Sequence, residues 1–310
     1  MSRRIPAHGG AAPRPRRAVI LVVFAAALAV TGLGTFAAIH LRASADSTAA
    51  GQPPSHPPSP QSHPASPPST PSTHSPSPHP SSRRPAQPRP RPLAGKVIGI
   101  DPGHNGGNGA DPGYINQPIW NGRETETCDT TGTETDAGYT EAQFNFDVAL
   151  YLRADLVSAG ARVVMTRTSN DGVGPCVNTR AQILNNAHPD VAIDIHADGG
   201  PAWGRGFTVL EPVADGPNNQ VIGSSELFGS DVKQEMLRDT PMPVSNYYGT
   251  GGVQFRDDLA GLNLATEPKI LIESGNMRNA VDAGLLTSAA FQKQLARAFA
   301  AAITLFLSRP

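Results

Sequence analysis

The sequence predicts an α/β fold, a mostly parallel sheet flanked by helices on both faces. Two observations carry this prediction: short β-branched runs recur through residues 94–310, and segments with a helical spacing of apolar residues lie between them. Strands that alternate with helices form a parallel sheet, because each helix returns the chain across the sheet before the next strand starts. The 217 residues after position 93 are enough for one domain with a sizeable core.

Five runs are predicted to be strands, since each is short, apolar and rich in β-branched residues. They are Lys96–Ile100, Arg162–Met165, Val191–Ile195, Phe207–Leu210 and Lys269–Ile272. Four segments are predicted to be helices. They are residues 142–158, 178–186, 225–237 and 288–307. The first of these helices has the clearest pattern, because its apolar residues recur every four positions, Thr140 and Gln143 have the spacing of a capping box, and Gly160 follows its end.

The N-terminal 39 residues are predicted to direct the chain to or through a membrane. Residues 1–17 are basic, and residues 18–39 form an uncharged, mostly apolar run. About 20 such residues span a bilayer, so the run can remain as a transmembrane anchor, whereas Ala43, Ser44 and Ala45 equally supply the cleavage site of a secretory signal. The length of the run favours the anchor. The arginines before it favour a cytoplasmic N-terminus, with the rest of the chain exported.

Residues 40–93 are predicted to be a disordered linker. Pro and Ser dominate residues 51–93 and aromatic residues are absent there, so this segment cannot bury enough surface to offset its ordering entropy. The first 93 residues carry ten arginines and a single acid, whereas residues 94–310 carry fifteen basic and twenty-five acidic residues. A folded domain with this negative balance argues against nucleic acid as a partner.

Three of the predicted strands lead to a residue that can bind a metal or move a proton. These residues are His104, His196 and Glu273, and a fourth, Glu141, opens the best-patterned helix. The carboxyl ends of parallel strands and the helix N-termini share one edge of such a sheet, so the four side chains are predicted to converge. Two His and one carboxylate with an open fourth position form a common catalytic zinc set, and the remaining carboxylate would transfer protons.

Each of these residues also has a purely structural interpretation. His104 can cap its loop, Glu141 can favour the positive end of its helix, and His196 can be a hydrogen-bonded core histidine. Glu273 is harder to explain in this way, because an unpaired buried carboxylate costs several kcal/mol.

Four short motifs contain these residues and occur in one order: DPGHNGGN at 101–108, E-x-x-x-N at 141–145, IHAD at 195–198 and ESGNMRN at 273–279. Together they resemble the zinc-dependent N-acetylmuramoyl-L-alanine amidases of the amidase-3 type, over about residues 96–307. The resemblance implies a twisted sheet of about six strands and one Zn²⁺. It further implies that His104, Glu141 and His196 ligate the ion and that Glu273 is the catalytic acid and base.

The same resemblance implies the substrate and the reaction. The substrate would be peptidoglycan, cut at the amide between N-acetylmuramic acid and the L-alanine of the stem peptide. Zinc would activate water and polarise the carbonyl. We expect a monomer outside the cytoplasmic membrane, anchored or secreted to the cell wall, and the sequence names no regulatory partner. Two alternatives are another exported zinc peptidase acting within the stem peptide and a non-catalytic wall-binding protein on the same fold.

Several acidic residues and two cysteines leave alternatives open. Asp194 lies on the same strand face as His196, so it either orients an imidazole or pairs with a cation such as Arg180. Three further acids compete formally with Glu141 as ligands, although they lie in a predicted loop: Glu124, Glu126 and Glu134. Two cysteines in an exported domain, Cys128 and Cys176, predict a disulfide. A free-thiol state stays open, and a metal-ligand role is weakly supported.

Overall fold

The computed structural model describes residues 91–309. The predicted N-terminal segments 1–17 and 18–39, and the linker up to residue 90, lie outside the described residues. Within residues 91–309 the chain forms eight strands and seven α-helices. The strands are β1 (Val97–Pro102), β2 (Pro118–Trp120), β3 (Thr125–Thr127), β4 (Arg162–Met165), β5 (Val191–Asp198), β6 (Thr208–Pro212), β7 (Val253–Arg256) and β8 (Lys269–Asn276). The helices are α1 (Pro112–Ile115), α2 (Glu141–Ser158), α3 (Val177–Ala187), α4 (Ile222–Asp239), α5 (Ala260–Asn263), α6 (Ala280–Leu286) and α7 (Ala289–Leu307).

Six of the strands form one mostly parallel sheet in the order β4-β1-β5-β8-β6-β7. The neighbouring strands β4, β1, β5 and β8 run parallel to one another. Strand β6 runs antiparallel to β8 and parallel to β7. The predicted α/β fold with about six strands is confirmed. The strands β2 and β3 form a separate antiparallel hairpin, which the sequence did not predict because each has only three residues.

Helices cover both faces of the sheet. On one face α2, α4 and α7 pack together over the main core, which contains the isoleucines of β1, β5 and β8. On the other face Leu262 of α5 packs against Leu210 and Leu271, whose neighbours along the strands point into the main core. This alternation follows from the period of two along a strand. The second face also carries the polar residues of the site described below.

The folded domain begins slightly before the predicted boundary. Leu93, the last residue of the predicted linker, is buried in the main core. Its backbone N–H donates to the carbonyl of Ala159, with a nitrogen–oxygen distance of 3.1 Å. The linker therefore ends before Leu93, because this residue, although it directly follows a Pro-rich run, belongs to the core.

Helix α2 begins where its cap was predicted. The Thr140 hydroxyl accepts a hydrogen bond from the backbone N–H of Gln143 at 3.3 Å, and Gly160 follows the helix with a φ of 102°. Such a left-handed conformation after a helix favours glycine. The cap fixes the first residue of the helix, Glu141, at the edge of the sheet.

Candidate metal centre

The structure brings the four predicted site residues to one edge of the sheet. His104 follows β1, His196 lies near the end of β5, Glu273 lies in β8, and Glu141 opens α2. One possible ligand atom from each of His104, Glu141 and His196 lies within 4.8 Å of the other two. This group has the closeness and the donor types to hold a metal ion.

Glu141 lies between the two imidazoles. Its Oε1 is 2.8 Å from Nδ1 of His196 and 3.3 Å from Nε2 of His104. The two imidazole rings are nearly perpendicular, with centroids 4.9 Å apart. The three possible ligand atoms therefore come from separate parts of the fold and face one small space.

Hydrogen bonds from the loop before α2 and from the next turn of α2 fix the Glu141 carboxylate. Oε2 accepts a hydrogen bond from the backbone N–H of Thr133 at 3.0 Å. Asn145, one turn later, donates to the carbonyl of Gly103 at 3.2 Å and to Oε1 of Glu141 at 3.4 Å. The E-x-x-x-N spacing thus joins the helix to the loop that carries His104.

His104 is held in an uncommon backbone conformation. Its φ is 56°, which costs free energy for a residue other than glycine. Its carbonyl accepts from Nη2 of Arg180 at 2.7 Å, and its Nδ1 lies 3.0 Å from Oδ1 of Asp129. Asp129 was not predicted to belong to the site, because it lies in an irregular loop without periodic pattern.

Two glycines leave room for the imidazoles. A Cβ on Gly103 would lie 2.1 Å from Cε1 of His196, and a Cβ on Gly132 would lie 2.7 Å from Cδ2 of His104. Real contacts are never that short, so any larger residue at either position would displace a histidine. The glycine of the DPGH motif is therefore required by the neighbouring strand rather than by its own backbone angles.

Glu273 lies beside this group with an unsatisfied carboxyl group. Its Oε2 is shielded from solvent and has no hydrogen-bond partner among the described residues. Burial, followed by the negative charges of Glu141 and Asp198, raises the pKa of Glu273 well above its usual range. A carboxyl group with a raised pKa beside possible metal ligands is suited to proton transfer.

The surroundings favour the charged forms of His104 and Glu141 but the neutral form of Glu273. Burial alone would lower the pKa of His104, but Glu141 and Asp129 outweigh it and raise that pKa to about 10. Burial alone would raise the pKa of Glu141, yet the facing imidazoles of His104 and His196 hold it well below its usual range. The two carboxylates of the site are therefore set apart by their surroundings, Glu141 as the anion and Glu273 as the group that holds a proton more readily.

The site opens into a cavity of about 390 Å³. One wall comes from β3 and the start of α5, with Glu126, Leu259 and Ala260, and another from Asp198 and Gly199 at the end of β5. A cavity of this size with convergent polar groups is the usual form of a small-molecule or peptide site.

The competing acids do not join the close group. Glu126 lines the cavity, and its Oε1 accepts from the backbone N–H of Ala260 at 3.3 Å, while Glu124 and Glu134 are exposed. Asp194 pairs with a cation, but the cation is Lys269, whose Nζ lies 3.0 Å from Oδ1 of Asp194. Of the two alternatives, the structure therefore shows the cation pair, with Lys269 in place of the suggested Arg180, whose guanidinium pairs with Asp101 and Asp129.

Cys128 and Cys176 form the predicted disulfide. The residues are 48 apart in sequence and both are buried. In the chain-entropy model, closing a loop of this length contributes on the order of 4 kcal/mol. The bond joins the loop before α2 to the start of α3.

An α/β sheet that gathers metal-binding side chains and a proton-transfer carboxyl group at its carboxyl edge is typical of metal-dependent hydrolases. Comparison with known proteins is more specific. The family model described as N-acetylmuramoyl-L-alanine amidase matches residues 98–305, and this chain belongs to that family.

Individual relatives agree with the family assignment. The chain is 39% identical over 224 residues to the N-acetylmuramoyl-L-alanine amidase Rv3717 of Mycobacterium tuberculosis, which covers 72% of this chain and 91% of the relative. The crystal structure of the amidase Ami1 from Mycobacterium smegmatis matches with 39% identity and a TM-score of 0.65, covering 69% of this chain and 98% of that one. The apo form of Ami1 from Mycobacterium abscessus matches with 41% identity and a TM-score of 0.66, covering 70% and 100%.

The enzyme hydrolyses the amide between N-acetylmuramic acid and L-alanine in peptidoglycan. Family membership favours this activity over a peptidase acting within the stem peptide and over a non-catalytic wall-binding protein. The substrate lies outside the cytoplasmic membrane, so the activity implies export. Within residues 91–309 no helix is both long and apolar enough to cross a membrane, and the predicted segment 18–39 is outside that range.

Proposed function

We propose that this amidase is zinc-dependent, with His104, Glu141 and His196 holding one Zn²⁺ and Glu273 transferring the protons of the reaction. The observation that carries the proposal is the approach of three possible ligand atoms to within 4.8 Å of one another, beside a carboxyl oxygen of Glu273 that has no hydrogen-bond partner in residues 91–309. Each of the four residues was expected at this edge from its position after a strand or at a helix start.

The chemistry of the donor set fits a cation. Nδ1 of His104 faces the Asp129 carboxylate, so a proton on Nδ1 has an acceptor, and Nε2 is the ring nitrogen that lies towards Glu141. The acids that raise the pKa of His104 to about 10 favour a positive charge at Nε2, which lies 3.3 Å from the Glu141 oxygen. A proton supplies that charge, and a metal ion would take the place of this proton. His, His and carboxylate with an open position is a set that zinc occupies in catalytic sites.

Glu273 supplies the proton transfers of the proposed reaction. Bound zinc would act as a Lewis acid that makes water nucleophilic near neutral pH and polarises the amide carbonyl. The Glu273 carboxylate accepts the proton that the water loses when its oxygen attacks the carbonyl carbon. It then donates that proton to the departing nitrogen of L-alanine, the C–N bond breaks, and the carboxylate is restored for the next cycle.

The fixed geometry of the side chains lowers the cost of this reaction. Glu141 is held by Thr133 and Asn145, and Glu273 is fixed by a central strand. Groups that are already in place need no reorganisation as charge develops on the substrate.

We further propose that the chain acts as a monomer on peptidoglycan outside the cytoplasmic membrane, without nucleic acid. Residues 18–39 would be an uncleaved anchor or a secretory signal. A Pro-rich spacer of about 40 residues at ~3.1 Å each reaches on the order of 100 Å. An anchored enzyme would thereby reach a substrate that lies away from the membrane.

Product analysis tests the proposed reaction. The purified zinc-loaded protein is incubated with muropeptides, and the products are identified by mass spectrometry. A free amino terminus on L-alanine and an intact N-acetylmuramic acid support the proposal. A new amino terminus on a later residue would show a peptidase instead, and intact muropeptide with the protein bound to it would show a wall-binding protein. Treatment with a chelator should abolish the cleavage, and added zinc should restore it.

A further inference from the structure

A continuous set of contacts joins the disulfide to His104. Cys128 is followed directly by Asp129, and Cys176 is the residue before helix α3, which carries Arg180 in its first turns. The side chains of Asp129 and Arg180 both contact His104. The disulfide thus joins the two segments that support this histidine.

Asp129 contacts His104 and Arg180 through different oxygens. Oδ1 lies 3.0 Å from Nδ1 of His104 and also accepts from the backbone N–H of Thr130 at 2.7 Å. Oδ2 accepts from Nη2 of Arg180 at 3.2 Å. The Asp129 side chain is buried, so it has little freedom to turn away from the imidazole.

Arg180 is fully buried and binds the backbone around His104. Besides the His104 carbonyl, its guanidinium donates to the carbonyl of Pro102 at 2.8 Å and to Oδ1 of Asp101 at 2.9 Å. Donors in a rigid planar fork fix the positions of all their acceptors together. Arg180 therefore holds both the left-handed backbone of His104 and the carboxylate that faces its ring.

The disulfide fixes the spacing of these two supports. The backbone N–H of Val177 donates to the carbonyl of Cys128 at 2.8 Å, and that of Arg180 donates to the carbonyl of Cys176 at 2.9 Å. The loop that carries Asp129 is irregular and has no strand or helix at that residue. A covalent bond to α3 compensates for the missing regular structure.

We propose that Asp129 and Arg180, fixed by the Cys128–Cys176 disulfide, are positioning residues that orient His104 towards the metal site. Asp129 accepts the Nδ1 proton, which keeps Nε2 free as a donor and increases its basicity. Loss of such a support lowers metal affinity by about 10- to 100-fold in other metal sites. The inference rests on the proposed function, in which His104 binds zinc.

Asp101 provides a matched control, because it also pairs with Arg180 inside the protein but forms no hydrogen bond or ion pair with His104 in the part of the chain that the structure describes. Zinc affinity is measured by competition with a chromophoric chelator, and the visible spectrum of the cobalt-substituted protein reports the ligand geometry. Asp129→Ala should lose about 10- to 100-fold in zinc affinity and change the cobalt spectrum. Asp101→Ala should lose much less affinity and keep the spectrum. Asp129→Asn, which retains an oxygen acceptor, should recover part of the affinity.

The role of the disulfide is tested with the double variant Cys128→Ser/Cys176→Ser, at a temperature where near-ultraviolet circular dichroism shows a folded protein. Its zinc affinity should fall several-fold. If the bond acts through Asp129, adding the serine substitutions to Asp129→Ala should cause little further loss. Equal losses in the two backgrounds, or an unchanged affinity in the serine variant, would overturn this part of the proposal.

The result can be separated from a failure of the proposed function. If His104→Ala retains zinc, His104 is not a ligand and the proposed function is wrong. If His104→Ala loses zinc while Asp129→Ala and Asp101→Ala bind it equally well, the ligand assignment stands and only the positioning role of Asp129 is refuted.

Discussion

His196 and Glu273 lie directly opposite each other on the adjacent parallel strands β5 and β8. Residues in register on neighbouring strands point to the same face, so the proposed metal ligand and the proposed proton-transfer residue are side by side. The pairing changes register between His196 and Asp198, the last residue of β5. A slip of one residue in either strand would move one of the two side chains to the opposite face of the sheet.

Replacement of either proposed histidine ligand should remove the metal. We expect His104→Ala and His196→Ala each to lose zinc and activity together, because two remaining donors hold zinc far more weakly than three. Metal analysis of the purified variants, with turnover measured on the same samples, checks this. His188→Ala is the control, since His188 is exposed at the end of α3. Full zinc occupancy in either ligand variant would contradict the assignment.

The two glutamates of the site should respond differently to the same substitution. Glu141→Gln replaces an anionic ligand by a neutral one and should lower zinc affinity. Glu273→Gln keeps the shape of the side chain and the zinc but cannot accept a proton, so turnover should fall at least about a hundredfold. Zinc content and turnover are measured in parallel on both variants. If Glu273→Gln lost the metal and Glu141→Gln kept it, the two roles would be exchanged.

Removing one partner of the buried Lys269–Asp194 ion pair should destabilise the fold more than replacing both partners. Lys269 is fully buried and its Nζ is 3.0 Å from Asp194, so Lys269→Met leaves an unpaired buried carboxylate. We expect a loss of about 3–5 kcal/mol in the free energy of unfolding, and a smaller loss when Asp194→Asn is added. Denaturant titration of both variants measures this. Lys293→Met, at an exposed position, should change the stability little.

A buried glutamate away from the site should make stability depend on pH. Burial, followed by the negative charge of Glu226, raises the pKa of Glu211 from 4.5 to about 7. Because this folded-state pKa lies above the unfolded value, the free energy of unfolding should fall as pH rises from about 4.5 to about 7 and remain lower above it. Glu211→Gln removes the titrating group and should therefore reduce this fall.

Denaturant titrations at pH 4.5, 7 and 8, with equal zinc loading, compare the two proteins. Glu134→Gln serves as the control, since Glu134 is exposed. An identical pH dependence in Glu211→Gln and the unmodified protein would show that Glu211 titrates normally.

Local patterns in the sequence were sufficient for most of the fold and for the four proposed site residues. The β-branched runs identified five strands of the six-stranded sheet, and the cap at Thr140 located the start of α2 to within one residue. The positions of His104, His196 and Glu273 after strands followed from one rule, the convergence of strand ends at one edge. These signals depend on the nearest few residues, because periodicity and capping are properties of a single strand or helix.

The remaining features depend on residues that are distant in the sequence. Asp129 contacts His104 across 25 residues, and Lys269 reaches Asp194 from another strand. Strand β7 is a short, partly exposed edge strand, and β6 runs antiparallel to β8, which no local pattern indicates. Local sequence patterns were therefore enough to predict the four proposed site residues, five strands of the main sheet and the longer helices. The side chains that contact these residues could be recognised only in the folded domain, because the pairing of buried charges depends on the packing of elements that are far apart in the chain.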